Sequence, residues 1–434
     1  MTAHIQQRQR EVLAEAPPAR PSSQPTKMAA SLRVDALQRA CRRAFSSVGT
    51  LHLPQQVRIG AGVSKALPEV LQTLGAKSPL LVTDSFMHDS GLMSPMIEAL
   101  EAAAIHHAVF SGVVPDPTTD SLDAGVAAAA ASGCDVVVGF GGGSSLDSAK
   151  AIAVLAVHGG RMRDYKVPNE APAGLPVVCV PTTAGTGSEV TRVSIITDSA
   201  SDEKMLCMGP GMLAAAALVD YELSMQKPFR LTADSGLDTL CHALEAYVSR
   251  KATPFTDTLA LAALKAVVEH LPTACESPSD RRAREAMMLA ATQAGIAFSN
   301  ASVTLIHGLS RPIGAHFHVP HGLSNAMLLP AVTEWSLGGA PERYATCSRA
   351  MGFASAAMSD AEALTALLSG LRALSTRLRV PSLIDFGVAP EAFLSLAPVM
   401  AKQALASGSP ANNPLVPTAE DCVGLYRQLI SDSA

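Results

Sequence analysis

The stretch Asp135-Val136-Val137-Val138-Gly139-Phe140-Gly141-Gly142-Gly143-Ser144-Ser145-Leu146-Asp147-Ser148-Ala149-Lys150 decides the fold. Its first half is a short apolar run bounded by glycine, the mark of a strand buried on both faces. Its second half opens a helix that the apolar pattern carries through Val157. Glycines at the join let the backbone come close to a ligand, and the helix behind them presents unpaired N–H groups and the positive end of its dipole. This is a pyrophosphate site in outline. The order is not GxGxxG, and the GK[ST] ending of a P-loop is missing. Taken alone, the segment reads equally as a tight strand-to-helix turn.

Outward from this segment, strand-like runs recur at 79–84, 107–110, 176–180 and 193–197, with helical stretches at 92–104 and 119–131 between them. Apolar runs alternating with helices predict a parallel sheet covered on both faces. A second loop, Pro181-Thr182-Thr183-Ala184-Gly185-Thr186-Gly187-Ser188-Glu189, also follows a strand. Its hydroxyls suit a ribose, a phosphate or an amide. Two such loops at the carboxyl ends of parallel strands converge on the crevice where open α/β sheets bind ligands. Asp84 ends the run that starts at Pro79. An acidic residue there accepts hydrogen bonds from ribose hydroxyls and repels a 2′-phosphate, which favours NAD over NADP. Its competing reading is the N-cap of the helix that follows.

After Lys227-Pro228 the pattern changes to Ala, Leu and Met at helical spacing through 232–249, 254–270, 280–299 and 360–378. The expected organisation is therefore a leader, 1–50, an α/β domain, 51–227, and an all-α domain, 228–434. The leader carries seven arginines and a Pro/Ser stretch, and reads as disordered with one helix at 34–44. An arginine-rich organellar transit peptide is the alternative, interrupted by Glu11, Glu15 and Asp35.

Composition narrows the function classes. Of 434 residues, 48% are hydrophobic and 16% charged, the balance of a core-rich globular protein. A net charge of −5 and 4% aromatic residues argue against nucleic-acid and membrane partners. Eight cysteines include no CxxC pair, so they read as reduced thiols in a cytoplasmic protein.

The chemistry-bearing residues lie in the helical half. Asp238 and His242 stand four apart in a helical pattern, on one face and within reach of one ion. That spacing alone is more often a surface contact. Further on, 306–322 holds four of the twelve histidines: His307 at the close of an apolar stretch, His316, His318, and His321 between Pro320 and Gly322, where a fixed turn is expected. One carboxylate and three neutral imidazoles suit Fe(II) or Zn(II) with a position left for water or substrate. His316 and His318 read by default as core or surface residues.

With these residues assembled, the chain resembles the iron-containing (group III) alcohol dehydrogenases. The resemblance runs from about Leu51 to Leu429 and is carried by GFGGGSSLDSAKAIA (139–153), PTTAGTGSEVT (181–191), GLDTLCHALEAYVS (236–249) and HGLSRPIGAHFHVPHG (307–322). It implies the dehydroquinate synthase-like fold, with an N-terminal α/β dinucleotide-binding domain, a C-terminal helical domain and the site between them. It implies Asp238, His242, His307 and His321 as ligands of iron, with zinc as the alternative. Gly142, Gly143 and Ser144 match the pyrophosphate loop. Thr182, Thr183 and Thr186 match residues around the nicotinamide and its ribose. Asp84 matches the acidic residue that favours NAD, Asp147 an aspartate near nicotinamide or substrate, and Lys204 a lysine that reaches the cofactor from a neighbouring strand.

Two departures stand out. Many relatives carry a further histidine four residues after the third ligand, near the substrate, where this chain has Arg311. Asp116 stands where asparagine is common. The expected reaction is reversible hydride transfer between NAD(H) and an alcohol or aldehyde, in a homodimer or larger assembly. A hydroxyacid–oxoacid transhydrogenase of the same family, a lyase of dehydroquinate synthase type and a nucleotide-binding protein that has lost activity are the competing readings. A lyase of that type needs several basic residues to grip a phosphorylated substrate, and only Arg311 and Lys204 stand near the expected site.

Overall fold

The computed structural model describes residues 50–432. The leader, its expected helix and the transit-peptide alternative, all before Thr50, lie outside the described residues. The strands are β1 (Gln56–Ile59), β2 (Pro79–Val82), β3 (Ala108–Phe110), β4 (Val136–Gly141), β5 (Val177–Pro181), β6 (Val193–Asp198), β7 (Glu203–Met208) and β8 (Ala216–Val219). Six of them form one sheet in the order β1-β8-β5-β4-β2-β3, with every neighbouring pair parallel.

Helices cover both faces of this sheet, for the reason visible in β4. Alternate side chains of a strand point to opposite faces. Val137 packs with Leu80, Val82 and Cys179 against α4 (Thr119–Ser132) and α5 (Gly143–His158). Val136, Val138 and Phe140 pack with Val178, Val180 and Leu218 against α1 (Leu67–Leu74) and α3 (Ser94–Ala102). Each fully buried Val, Leu or Phe of these layers contributes about 1.5–3 kcal/mol. The short α2 (Ser85–Asp89) follows β2. Because β5, β4 and β2 are adjacent and parallel, Thr182, Gly142 and Asp84 are brought to one edge of the sheet, just beyond the strands' carboxyl ends.

One strand expectation needs correction. The run at 193–197 is a strand but does not join the parallel sheet. As β6 it pairs antiparallel with β7, from Val193 opposite Met208 to Asp198 opposite Glu203. A period-two pattern shows that a segment is extended and does not reveal its partner.

The remaining chain is helical: α6 (Phe229–Val248), α7 (Pro254–Glu276), α8 (Arg281–Ala301), α9 (Leu305–Phe317), α10 (His321–Ser336), and further helices to Ser431. α7 continues beyond the expected end at 270 and through Pro272, which is buried with Leu271, Ala274 and Cys275. Apolar burial of that last turn offsets the N–H that the proline lacks. α6 is the centre of this half, with every residue from Gly236 to Val248 buried. A helix enclosed on all sides must find partners for its polar side chains. Asp238, Thr239, His242 and Glu245 are its buried polar groups in that stretch, and they organise the site. Among the described residues, no single helix is long and apolar enough to cross a membrane. The seven described cysteines are free.

Candidate metal and nucleotide site

Three helices bring together the four expected ligands. α6 supplies Asp238 and His242 one turn apart, the first turn of α9 supplies His307, and His321 is the first residue of α10. The expected turn at His321 is thus a helix start, with Pro320 as the N-cap. One ligand atom from each residue lies within 4.8 Å of all the others. His307 Nε2 is 3.4 Å and His321 Nε2 3.7 Å from Asp238 Oδ1, and His242 Nδ1 is 3.9 Å from Asp238 Oδ2. The His242 ring is clamped between Phe298, at 4.2 Å between centroids, and His307, at 4.4 Å.

The electrostatics match a set of lone pairs waiting for a cation. Burial pushes His242 down to about 3 and His321 down to about 4, so both imidazoles are neutral near pH 7. Burial alone would raise the Asp238 carboxyl, but His242, His321 and His307 outweigh it and hold it well below the usual carboxylate range. His242 Nδ1 is buried without a hydrogen-bond partner among the described residues. An orphaned imidazole nitrogen facing a buried carboxylate is costly unless something bonds it, and one carboxylate with three imidazoles is the donor set of Fe(II) and Zn(II). The residues fit a divalent transition metal.

Two further residues, which the sequence alone does not single out, support the quartet. Glu245, one turn beyond His242, accepts from His307 Nδ1 at 2.5 Å, from the backbone N–H of Ile306 at 2.6 Å and from Thr304 Oγ1 at 2.8 Å. Since the carboxylate accepts, Nδ1 carries the proton and Nε2 keeps its lone pair for the metal side, the usual role of a carboxylate behind a ligating histidine. Against the desolvation of burial, Glu245 and Asp238 raise the pKa of His307. Asn325, one turn past His321, places its amide nitrogen 2.7 Å from Asp238 Oδ1, 3.1 Å from His307 Nε2 and 3.3 Å from His321 Nε2. Its Oδ1 is buried without a partner among the described residues. The signal available in the sequence is spacing alone, since Glu245 and Asn325 continue the one-turn steps of Asp238–His242 and of His321.

The nucleotide loops meet face to face. A Cβ on Gly142 would lie 3.6 Å from Thr183 Cγ2, and one on Gly143 would lie 2.8 Å from Thr186 Cγ2. Gly142 caps α5 without a side-chain bond, so the first N–H groups of this 16-residue helix, at Gly143 and Ser144, stay available to an anion. Thr182 Oγ1 and Ser145 Oγ are buried without partners among the described residues. A cradle that side chains would fill, lined by unpaired donors, fits a dinucleotide phosphate. Asp84 Oδ1 accepts from Met87 N at 2.9 Å as the N-cap of α2, while Oδ2 turns toward Gly141. The cap reading and the loop-edge placement therefore hold together. The second loop is also a wedge between the two halves. A Cβ on Gly187 would meet the Gly295 backbone of α8 at 2.6 Å, one on Gly185 would meet Ser235 of α6 at 2.7 Å, and Thr292 Oγ1 donates to Glu189.

A fully buried lysine pins that wedge. Lys150 Nζ donates to Ser188 O at 2.6 Å, Ser188 Oγ at 2.9 Å, Val193 O at 3.1 Å and Thr191 O at 3.2 Å. Asp147 lies one turn before it, its two oxygens accepting from Ser188 Oγ and from the backbone N–H of Ile195. Burial raises the Asp147 carboxyl while Lys150 and these donors pull it back. Asp147 thus joins α5 to the loop and to β6. Lys204, on β7, pairs with Asp116 at 3.0 Å and lies beside Gly314 of α9. His316 meets Gln403 near the surface and His318 is exposed.

Comparison with known proteins agrees with this arrangement. Residues 54–221 match the family described as iron-containing alcohol dehydrogenase, and residues 232–430 match the C-terminal part of the same family. The chain is 36% identical over 381 residues to the NAD-dependent methanol dehydrogenase of Bacillus methanolicus, covering 87% of this chain and 99% of that protein. A crystal structure of a 1,3-propanediol oxidoreductase superposes with a TM-score of 0.84 at 33% identity, covering 88% of this chain and all of that one. A sulfoacetaldehyde reductase from Bifidobacterium kashiwanohense, solved in complex with NAD+, gives 0.80 at 28% identity, over 88% of this chain and 99% of that one.

Proposed function

The chain belongs to the iron-containing alcohol dehydrogenase family and is an NAD-dependent alcohol oxidoreductase, and from that premise we propose that Asp238, His242, His307 and His321 hold the iron and that the Gly142–Ser144 turn and the Thr182–Thr186 loop hold NAD. When bound, the ion supplies Lewis-acid polarisation of the substrate oxygen and the nicotinamide supplies or accepts the hydride. Glu245 keeps the His307 proton on Nδ1. Asn325 holds Asp238 by a hydrogen bond to Oδ1. Thr183 and Thr186 stand beside the two glycines, where they orient the cofactor, and Asp84 accepts from the adenosine ribose. Asp147 and Lys150 hold the second loop in register.

The convergence of four donor atoms within 4.8 Å of one another, three of them on buried residues, beside the two loops, carries this reading. The activities of relatives such as the methanol and 1,3-propanediol dehydrogenases support an alcohol or aldehyde as substrate. Seven free thiols support the cytoplasm. Exposed Leu51, Leu53 and Ile59 around the edge strand β1 support a homodimer or larger assembly, because an apolar sheet edge invites pairing.

The test is metal analysis of protein purified without oxygen, followed by NADH formation with primary alcohols. Iron near one per chain and steady NADH release are expected. His307→Ala should retain NAD binding and lose turnover by about 1,000-fold or more. Unchanged turnover would refute the metal assignment. Activity that appears only with an added oxoacid acceptor, with no NADH released, would replace dehydrogenation by transhydrogenation.

A further inference from the structure

Arg311 is a cation that the protein leaves without a counterion, among the described residues, beside the open side of the quartet. It stands one turn after His307 on α9, on the same helix face. Its side chain makes one hydrogen bond, from Nη1 to Ser409 Oγ at 2.9 Å, and no ion pair among the described residues. Among the described residues, Nε and Nη2 have no hydrogen-bond partner, and neither is sealed from solvent. Burial pushes the guanidinium down to about 10, opposed only by the charge of Glu245. That carboxylate is already committed to His307, Ile306 and Thr304. The other nearby cation, Lys204, has Asp116 as its partner.

The quartet is also open on one side. The side chains of Asp238, His242 and His307 are 3–5% exposed, while that of His321 is 40% exposed. Lys204 and Arg311 both place positive charge near His321. A substrate that enters past His321 therefore arrives beside a guanidinium with free donors. An unpaired, partly desolvated cation is costly to keep and gains most from an anion that completes it. The planar fork of arginine fits a carboxylate with two parallel N–H···O bonds.

We infer, resting on the metal and nucleotide assignment above, that Arg311 is a substrate anion subsite and that the preferred substrate is a short aldehyde or alcohol carrying a carboxylate at the end remote from the reacting carbon. The reaction is balanced as for a neutral substrate. Hydride passes from NADH to the carbonyl carbon, the oxygen takes a proton, and the carboxylate on Arg311 is unchanged.

Two four-carbon aldehydes, 4-oxobutanoate and butanal, compare a carboxylate with a methyl group. Iron-loaded protein with NADH should favour 4-oxobutanoate in kcat/KM by about 10- to 100-fold, the range of a hydrogen bond to a charged group. Arg311→Gln should remove that preference and Arg311→Lys should keep part of it. Butanal used as well as or better than 4-oxobutanoate overturns the subsite while leaving the dehydrogenase intact. Consumption of neither aldehyde counts against the dehydrogenase reading, and the subsite is then decided without turnover. Succinate should raise the melting temperature of the wild-type protein where succinamide does not, and Arg311→Gln should lose the effect. Equal responses to succinate and succinamide in the wild type overturn the proposal, a result that does not depend on whether the variant folds.

Discussion

Around Gly142 and Gly143 the working groups are backbone N–H donors, and side chains are omitted so that two loops can meet. Around Asp238 the working groups are side chains, and His307 and Asp238 are each held by another side chain behind them. The first region is assembled at the edge of a sheet, where parallel strands end together and leave helix termini unpaired. The second is assembled inside a bundle, where α6 is enclosed and its polar groups have no water to bond. A binding site made of main chain depends on register, and one made of buried side chains depends on complete pairing.

That contrast predicts that damage stays on its own side. Lys150→Met tests the sheet side and carries the largest expected effect. It removes the buried ammonium that joins Ser188, Thr191 and Val193, and leaves Asp147 buried without its cation. Loss of about 3–5 kcal/mol in urea unfolding is expected, the cost of breaking a buried charge network. NAD affinity should fall in the folded remainder and iron content should hold. A loss below about 1 kcal/mol would mean that the loop is held by its glycine contacts instead.

Glu245→Gln tests the bundle side. The amide keeps the shape but cannot hold the His307 proton with the same force. Iron affinity should fall about 10- to 100-fold, as for other carboxylates behind ligating histidines, with NAD affinity unchanged in fluorescence titration. An unchanged iron affinity would remove Glu245 from the site. Asp84→Asn should act least. Asparagine caps a helix as well as aspartate does, so stability should stay within about 0.5 kcal/mol. The preference for NAD over NADP should shrink several-fold, and a constant preference would leave Asp84 only its cap.

Legibility in the sequence follows the same division. β4 with its glycine turn, the threonine loop and the Asp238–His242 step are visible because each is a local pattern of fixed period or spacing. β1 and β8 do not stand out as strands. Each has four residues, β1 ends at Ile59 and β8 begins only at Ala216, and they acquire their pairing from one another and from β5. β6 is legible as extended but not as a member of the smaller sheet, because alternation carries no information about the partner strand. Glu245, Asn325 and Lys150 lie in or beside legible motifs, yet their roles depend on what packs against α6, α10 and α5.

By itself the sequence determined the class of the protein. Apolar runs and helical spacing set the order of elements, and four residues of the right chemistry named the candidate metal set. Tertiary structure alone decided which of those residues are complete and which remain open. Burial and packing gave His307 its carboxylate, Asp238 its amide and Lys150 its ring of acceptors. The same packing left Arg311 with a hydroxyl and, among the described residues, no counterion. The physical reason is that a residue's type fixes how many partners it needs, while only the fold fixes how many it receives.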